Sequence, residues 1–418
     1  MSAADTRFLD AAARIGRRLC RDAIWADGRC NWLGWAMEPH KGQWVTPYRA
    51  MGSLLYDGTA GIGLFLARLT QLTRDRIIRI TAEGALAQAL TAVEALGGAG
   101  DYGFYSGLGG IAWACTEAGV LLEHEELAAR GQAALLLAAR APPHPHRLDI
   151  INGSAGLILA LLDAVAQRRH EELMDAATRH GEHLLATAAH GAHGWSWDTL
   201  GMAGEKHLLG FAHGASGIAC ALAALGVTTG RGDFLDGAEA ALRHERRHFR
   251  AAEGNWPDLR SFVQSGPTGE PPCMLAWCHG APGIGFARVL LHRLLPADPA
   301  ILAEAETAIR TTAAHLAPGA AGVGNFSLCH GDGGNADLLV LAADALARPE
   351  LRRVAEAAAR QALDRFEDAA VPWPCGIPNA GESPNLMLGV AGIGFFLLRL
   401  HDSRSVPTVL LPAARPLV

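Results

Sequence analysis

Lysine is almost missing from this 418-residue chain; Lys41 and Lys206 are the two present, and arginine carries the positive charge. We read that bias as genome composition and not as function. There is no run of basic residues, and the net charge is −6, which excludes a nucleic-acid or anionic-membrane partner on electrostatic grounds. No apolar run reaches the roughly 18 residues that a membrane-spanning helix needs. The opening MSAADTRFLDAAARIGRRLC has early acidic residues and no apolar core, so it is not a signal peptide, and a cytoplasmic location is expected. With 50% hydrophobic and 19% charged residues, the composition excludes a disordered chain and supports a large core. The eight cysteines show no CxxC spacing. Without an export signal they are expected to be buried, catalytic or metal-bound, not paired.

What the chain has is glycine in register. A Gly-x-x-Gly element begins at Gly58, Gly107, Gly153, Gly214, Gly280, Gly331 and Gly389, at intervals of 46 to 66 residues. A return every 50 residues or so marks a repeat protein. Each copy leads into a segment that is apolar on nearly all sides, as in GTAGIGLFLARL and GVAGIGFFLLRL. Between copies lie amphipathic stretches rich in Ala, Leu, Glu and Arg. Each repeat therefore predicts an outer amphipathic helix, a loop, a glycine pair and a buried inner helix. The last copy is as apolar as the middle ones, whereas an open solenoid needs a polar cap. The expected fold is all-α: one domain over 1–418, closed as an α/α toroid of seven inner and seven outer helices. Strand signals are scarce, the Trp and Leu stripes at helical spacing read as core, and 250–272 reads as a long loop.

Two repeats carry reactive side chains beside the glycine. The fifth reads Trp277-Cys278-His279-Gly280 and the sixth Cys329-His330-Gly331. In a closed ring both cysteines project from one rim. Cys278, Cys329 and His330 then form a two-sulfur, one-nitrogen set for one zinc per chain, with the fourth tetrahedral position open as in a catalytic site. Two thiolates neutralise the ion, so a third, from substrate, remains electron-rich; such a site suits thiol activation better than carbonyl polarisation. His213, directly before Gly214, shares that rim as an acid or base candidate. Asp149 could orient it. His279 falls to substrate or proton handling. The plainer readings are small buried hydrophobes for Cys278 and Cys329, a core histidine for His213, and a helix N-cap for Asp149. Cys20, Cys30, Cys115, Cys220, Cys273 and Cys375 read as core or surface residues. The WPCG containing Cys375 is unusual and has no evident role.

The motifs FAHGASGIA (211–219), WCHGAPGIG (277–285), LCHGDGGN (328–335) and LMLGVAGIGFFLLRL (386–400) resemble the lanthionine synthetase C-like cyclases from about Ala11 to the end. In motif style they are closest to the cyclase domain of the class II lanthipeptide synthetases. The resemblance implies an α/α toroid with zinc on Cys278, Cys329 and His330. It implies His213 as acid/base, with Asp149 lining the site. The implied reaction adds a cysteine thiolate to dehydroalanine or dehydrobutyrine, giving (methyl)lanthionine in a dehydrated, leader-bearing precursor of a peptide antibiotic. His213 or His279 would protonate the enolate. Stand-alone cyclases carry an arginine four residues before the first zinc cysteine and a tyrosine just after it; here Met274 and His279 stand there. Class II enzymes also carry an N-terminal dehydratase for which this chain has no room, so dehydration would fall to a separate protein. The alternatives are a glutathione-adding relative, a non-catalytic zinc scaffold for peptides, and a toroidal glycosidase using Asp149, Asp332 and Asp337.

Overall fold

The structure, a computed structural model, describes residues 6–40, 43–202, 204–261, 263, 269–317 and 325–412. Its helices are α1 (Thr6–Asp22), α2 (Thr59–Thr73), α3 (Arg76–Ala89), α4 (Val93–Ala99), α5 (Leu108–Leu121), α6 (Glu125–Arg140), α7 (Ser154–Gln167), α8 (Glu171–Ala186), α9 (Ala215–Thr229), α10 (Gly232–Arg246), α11 (Ala281–Leu294), α12 (Pro299–His315), α13 (Asp332–Ala345), α14 (Pro349–Ala362) and α15 (Val390–His401). Every Gly-x-x-Gly opens one of α2, α5, α7, α9, α11, α13 and α15, and these seven are the inner ring. Neighbours along that order pack on one another, and α15 packs back on α2, so the ring is closed. Each inner helix is backed by an amphipathic outer helix, with α1 backing α15 across the two ends of the chain. None of the described helices is long and apolar enough to cross a membrane.

The second glycine of each pair is dictated by close approach. A Cβ on Gly283 would collide with the Trp277 carbonyl, and one on Gly334 with the Leu328 carbonyl. The loop before the helix thus folds down onto the helix's first turn, where only glycine leaves room. Gly280 adds a positive φ of 87°, turning the chain sharply after Cys278 and His279.

This loop geometry places residues around the ring. Main-chain hydrogen bonds link the second residue before the glycine pair in six of the seven repeats, all but Ala212 of the fourth: Met387 to Tyr56 (2.9 Å), Tyr56 to Tyr105 (3.0 Å), Tyr105 to Ile151 (2.9 Å), Cys278 to Cys329 (3.3 Å) and Cys329 to Met387 (2.9 Å). The inner helices therefore present their N-termini, and the residues just before them, to one rim. The ring's centre is filled by the chain after α15. Tyr105 and Trp277, from the second and fifth repeats, have ring centroids 5.1 Å apart. Their side chains donate to the Val409 and Leu410 carbonyls at 2.6 and 2.8 Å.

Strands are more frequent than the sequence predicts. Short antiparallel pairs form between β1 (Ile24–Ala26) and β2 (Arg29–Asn31), β3 (Leu33–Trp35) and β6 (Tyr48–Ala50), β4 (Glu38–His40) and β5 (Gln43–Val45), and β7 (Ala189–Gly191) and β8 (Gly194–Ser196). At three residues each they are too short to show a period of two. They also hold Trp25 and Trp44 at the surface, at 43% and 65% exposure. The described part of 250–272 is a loop of turns and isolated bridges, as expected.

Candidate metal centre and active site

Cys278, Cys329 and His330 converge at the rim, with ligand atoms within 4.8 Å of one another. The two cysteines are buried. Their placement follows from the repeat: each cysteine is the second residue before its glycine pair, and the main-chain bond between them holds adjacent loops together. His330 is the residue after Cys329, and its Nε2 lies 2.7 Å from the Gly376 carbonyl. That contact fixes an Nε2–H tautomer and leaves Nδ1 for the sulfurs, the usual device for aiming a metal-binding imidazole. It also accounts for the glycine of WPCG: a Cβ at Gly376 would stand 3.0 Å from that nitrogen and 2.7 Å from the Ser327 hydroxyl. Two soft sulfurs and one imidazole are a donor set that fits zinc.

His213 stands on the same rim. Its Nδ1 lies 2.6 Å from Asp149 Oδ2, and Asp149 is 2% exposed. Burial alone would lower the His213 pKa; the hydrogen bond and charge of Asp149 outweigh it and raise it above its ordinary value. Nε2 is left for the cavity. Asp149 does not cap α7, whose N-cap is Gly153; its other oxygen accepts the Asn152 amide at 2.9 Å, which fixes the carboxylate.

His279 also lines the cavity. It is buried and pushed down to about 3, first by burial and then by the Arg260 charge. It therefore stays neutral. Nδ1 is 3.8 Å from Asp258, while Nε2 has no hydrogen-bond partner among the described residues. Its ring stacks on His213 at 5.9 Å.

Two side chains at the site were not anticipated. Arg260, from the 250–272 loop, is gripped by Asp258, with Nε 3.0 Å from Oδ1, and its Nη2 touches Met274 Sδ at 3.6 Å. A guanidinium thus reaches the neighbourhood of Met274 from a different part of the chain. The Tyr56 hydroxyl lies 3.0 Å from Cys329 Sγ. A loop cation has no periodic signal, but Tyr56 had one: it precedes Gly58 by two residues, as Cys278 and Cys329 precede their own glycines. Tyr56, His213, Arg260, Cys278, His279, Cys329 and His330 line one cavity of about 340 Å³, together with Met37 and Trp44 from the N-terminal hairpin region. The partial positive charge of the inner-helix N-termini favours an anion there.

The three aspartates of a glycosidase reading do not meet. Asp149 serves His213, Asp332 lies 3.0 Å from His315, and Asp337 is buried against Arg399 and Thr408.

The family profile described as "Lanthionine synthetase C-like protein" matches residues 49–411. The chain belongs to the lanthionine synthetase C-like family. Among solved structures, this family member is similar to one titled "Nisin cyclase", with a TM-score of 0.63 and 17% identity over 84% of this chain and 89% of that one. An unsaturated glucuronyl hydrolase from Bacillus sp. GL1 also aligns, over 97% of this chain and 98% of its own, at 15% identity and a TM-score of 0.49. No curated protein sequence matches. The nisin cyclase likeness agrees with the closed helical ring expected of a lanthionine synthetase C-like protein.

Proposed function

We propose that this protein is a zinc-dependent cyclase that adds peptide cysteine thiols to dehydroalanine or dehydrobutyrine and closes (methyl)lanthionine rings, with the whole ring acting as one catalytic domain. The observation that carries the reading is the convergence of Cys278, Cys329 and His330 beside the Asp149–His213 pair. Zinc on those three ligands would hold a substrate thiol as thiolate near neutral pH.

The remaining steps fall to side chains. The sulfur attacks the β-carbon, one C–S bond forms, and the π electrons move to an enolate. Arg260, fixed by Asp258, supplies positive charge for the enolate oxygen. His213, charged through Asp149, delivers a proton to the α-carbon. Nothing leaves: the proton returned matches the one the thiol shed. Neutral His279 offers Nε2 as an acceptor for a substrate N–H, giving a buried nitrogen its missing partner.

A cavity of about 340 Å³ takes a reacting pair and not a whole peptide, so flanking residues would run out past Met37 and Trp44. The substrate would arrive already dehydrated, from a separate dehydratase. The zinc-scaffold alternative needs four protein ligands, and the metal-binding group found among the described residues has three.

The test is incubation of the zinc-loaded protein with a dehydrated peptide that retains a free cysteine. The reading expects loss of the free thiol without change of mass, and none with His213→Ala. Retention of the thiol, with glutathione adducts forming on the same peptide, would move the protein to the glutathione-adding class.

A further inference from the structure

If substrate sulfur is to react at a centre that already holds two protein sulfurs, something must keep the protein's own thiolates from adding to the electron-poor alkene. Tyr56 is placed to act on that problem. The Tyr56 hydroxyl is 3.0 Å from Cys329 Sγ, across 273 residues of sequence. The contact follows from the ring and is not incidental. The Tyr56 carbonyl accepts the Met387 amide, and the Met387 carbonyl accepts the Cys329 amide, so two main-chain hydrogen bonds set the distance between their loops. The ring of Tyr56 is itself steadied edge-on by Tyr105, with centroids 6.5 Å apart.

We propose that Tyr56 is a positioning residue that donates a hydrogen bond to the Cys329 thiolate, weakening it as a nucleophile while leaving it a metal ligand. This rests on the zinc reading given above. A phenol has one proton to donate, and a thiolate beside it is a charge-assisted acceptor. Drawing electron density off Cys329 does two things. It slows attack by that sulfur on an electrophile, and it would make a zinc held there a stronger Lewis acid toward the incoming thiol. The repeat supplies an internal control. Tyr105 occupies the same place in the next repeat, but its hydroxyl donates to the Val409 carbonyl and not to sulfur.

The test uses Tyr56→Phe, which keeps the ring and deletes the donor, with Tyr105→Phe alongside. Each full-length protein is loaded with cobalt(II), and its sulfur-to-metal charge-transfer band is recorded. The zinc-loaded proteins are then alkylated with iodoacetamide, which forms a C–S bond and releases iodide, and the modification of Cys329 relative to Cys278 is followed by peptide mass spectrometry. The proposal expects one metal per chain in all three proteins. In Tyr56→Phe alone, the band should move to lower energy and the Cys329:Cys278 ratio should rise about tenfold, the change that loss of about 1.4 kcal/mol produces. An unmoved band and ratio in metal-loaded Tyr56→Phe, or equal changes in Tyr105→Phe, would overturn it while leaving the zinc reading intact. Failure of the wild type to bind cobalt or zinc would overturn both. Should Tyr56→Phe not fold, 3-fluorotyrosine at position 56, a stronger donor, must move the band to higher energy; no movement or the opposite sign would refute the proposal.

Discussion

Replacing Asp149 with asparagine separates the electrostatic account of His213 from a merely structural one. The substitution keeps an oxygen for the Asn152 amide, so the turn before α7 should survive. It removes the buried carboxylate 2.6 Å from His213 Nδ1. That carboxylate is what holds the imidazole above its ordinary value against burial, so the His213 pKa must move down in the variant. A hydrogen bond to a charged partner contributes about 1.5–3 kcal/mol. Its loss from the protonated imidazole should slow proton delivery by about 10- to 100-fold. The alkaline limb of the rate profile should move to lower pH with it, because less His213 stays charged there. The assay is the rate of free-thiol loss from a dehydrated peptide against pH, paired with an NMR titration of the His213 ring and a zinc determination. Intact zinc content, an unmoved titration and a rate within about twofold of wild type would show that Asp149 does not set the charge on His213.

Other consequences are as specific. Arg260→Gln should leave zinc content unchanged and lower the rate of ring closure by about 100-fold, the effect of losing one group that stabilises an oxyanion; near-wild-type rates would remove Arg260 from the chemistry. Asp337→Asn should destabilise the fold by about 3–5 kcal/mol in chemical denaturation, since it strands buried Arg399 without its partner; a loss under about 1 kcal/mol would contradict that pairing. His180 is wholly buried and pushed down from 6.5 to about 4, chiefly by burial. The unfolded chain therefore takes up that proton before the folded one does. Stability is full above pH 6.5 and falls toward pH 4, by up to about 1.4 kcal/mol per pH unit from this residue. The slope should shrink in His180→Gln, and an unchanged slope would show that other groups set it.

The repeat was legible because Gly-x-x-Gly marks a backbone necessity, the loop carbonyl resting on the helix at Gly283 or Gly334. Cys278, Cys329, His330 and His213 were legible because that same turn fixes where the residues before it go. Asp149 was legible as a carboxylate that could orient His213; that it also anchors the Asn152 amide is a tertiary fact. Arg260 was not legible, since its position depends on how an aperiodic loop folds over the rim. Tyr56 was missed for a different reason: aligning the repeats on their glycines would have put it in register with the cysteines, but a tyrosine beside Asp57 carries no metal-binding signature of its own. The hairpins between residues 24 and 50 were hidden by their length.

The account turns on the metal centre, and the most direct measurement is zinc per chain after mild chelator dialysis at neutral pH, in wild type and in Cys329→Ala. The account predicts about one tightly held zinc in wild type and loss of it in the variant, because two remaining ligands cannot hold the ion against chelator. Wild-type protein that stays metal-free after reloading, or a variant that keeps its zinc, would contradict it.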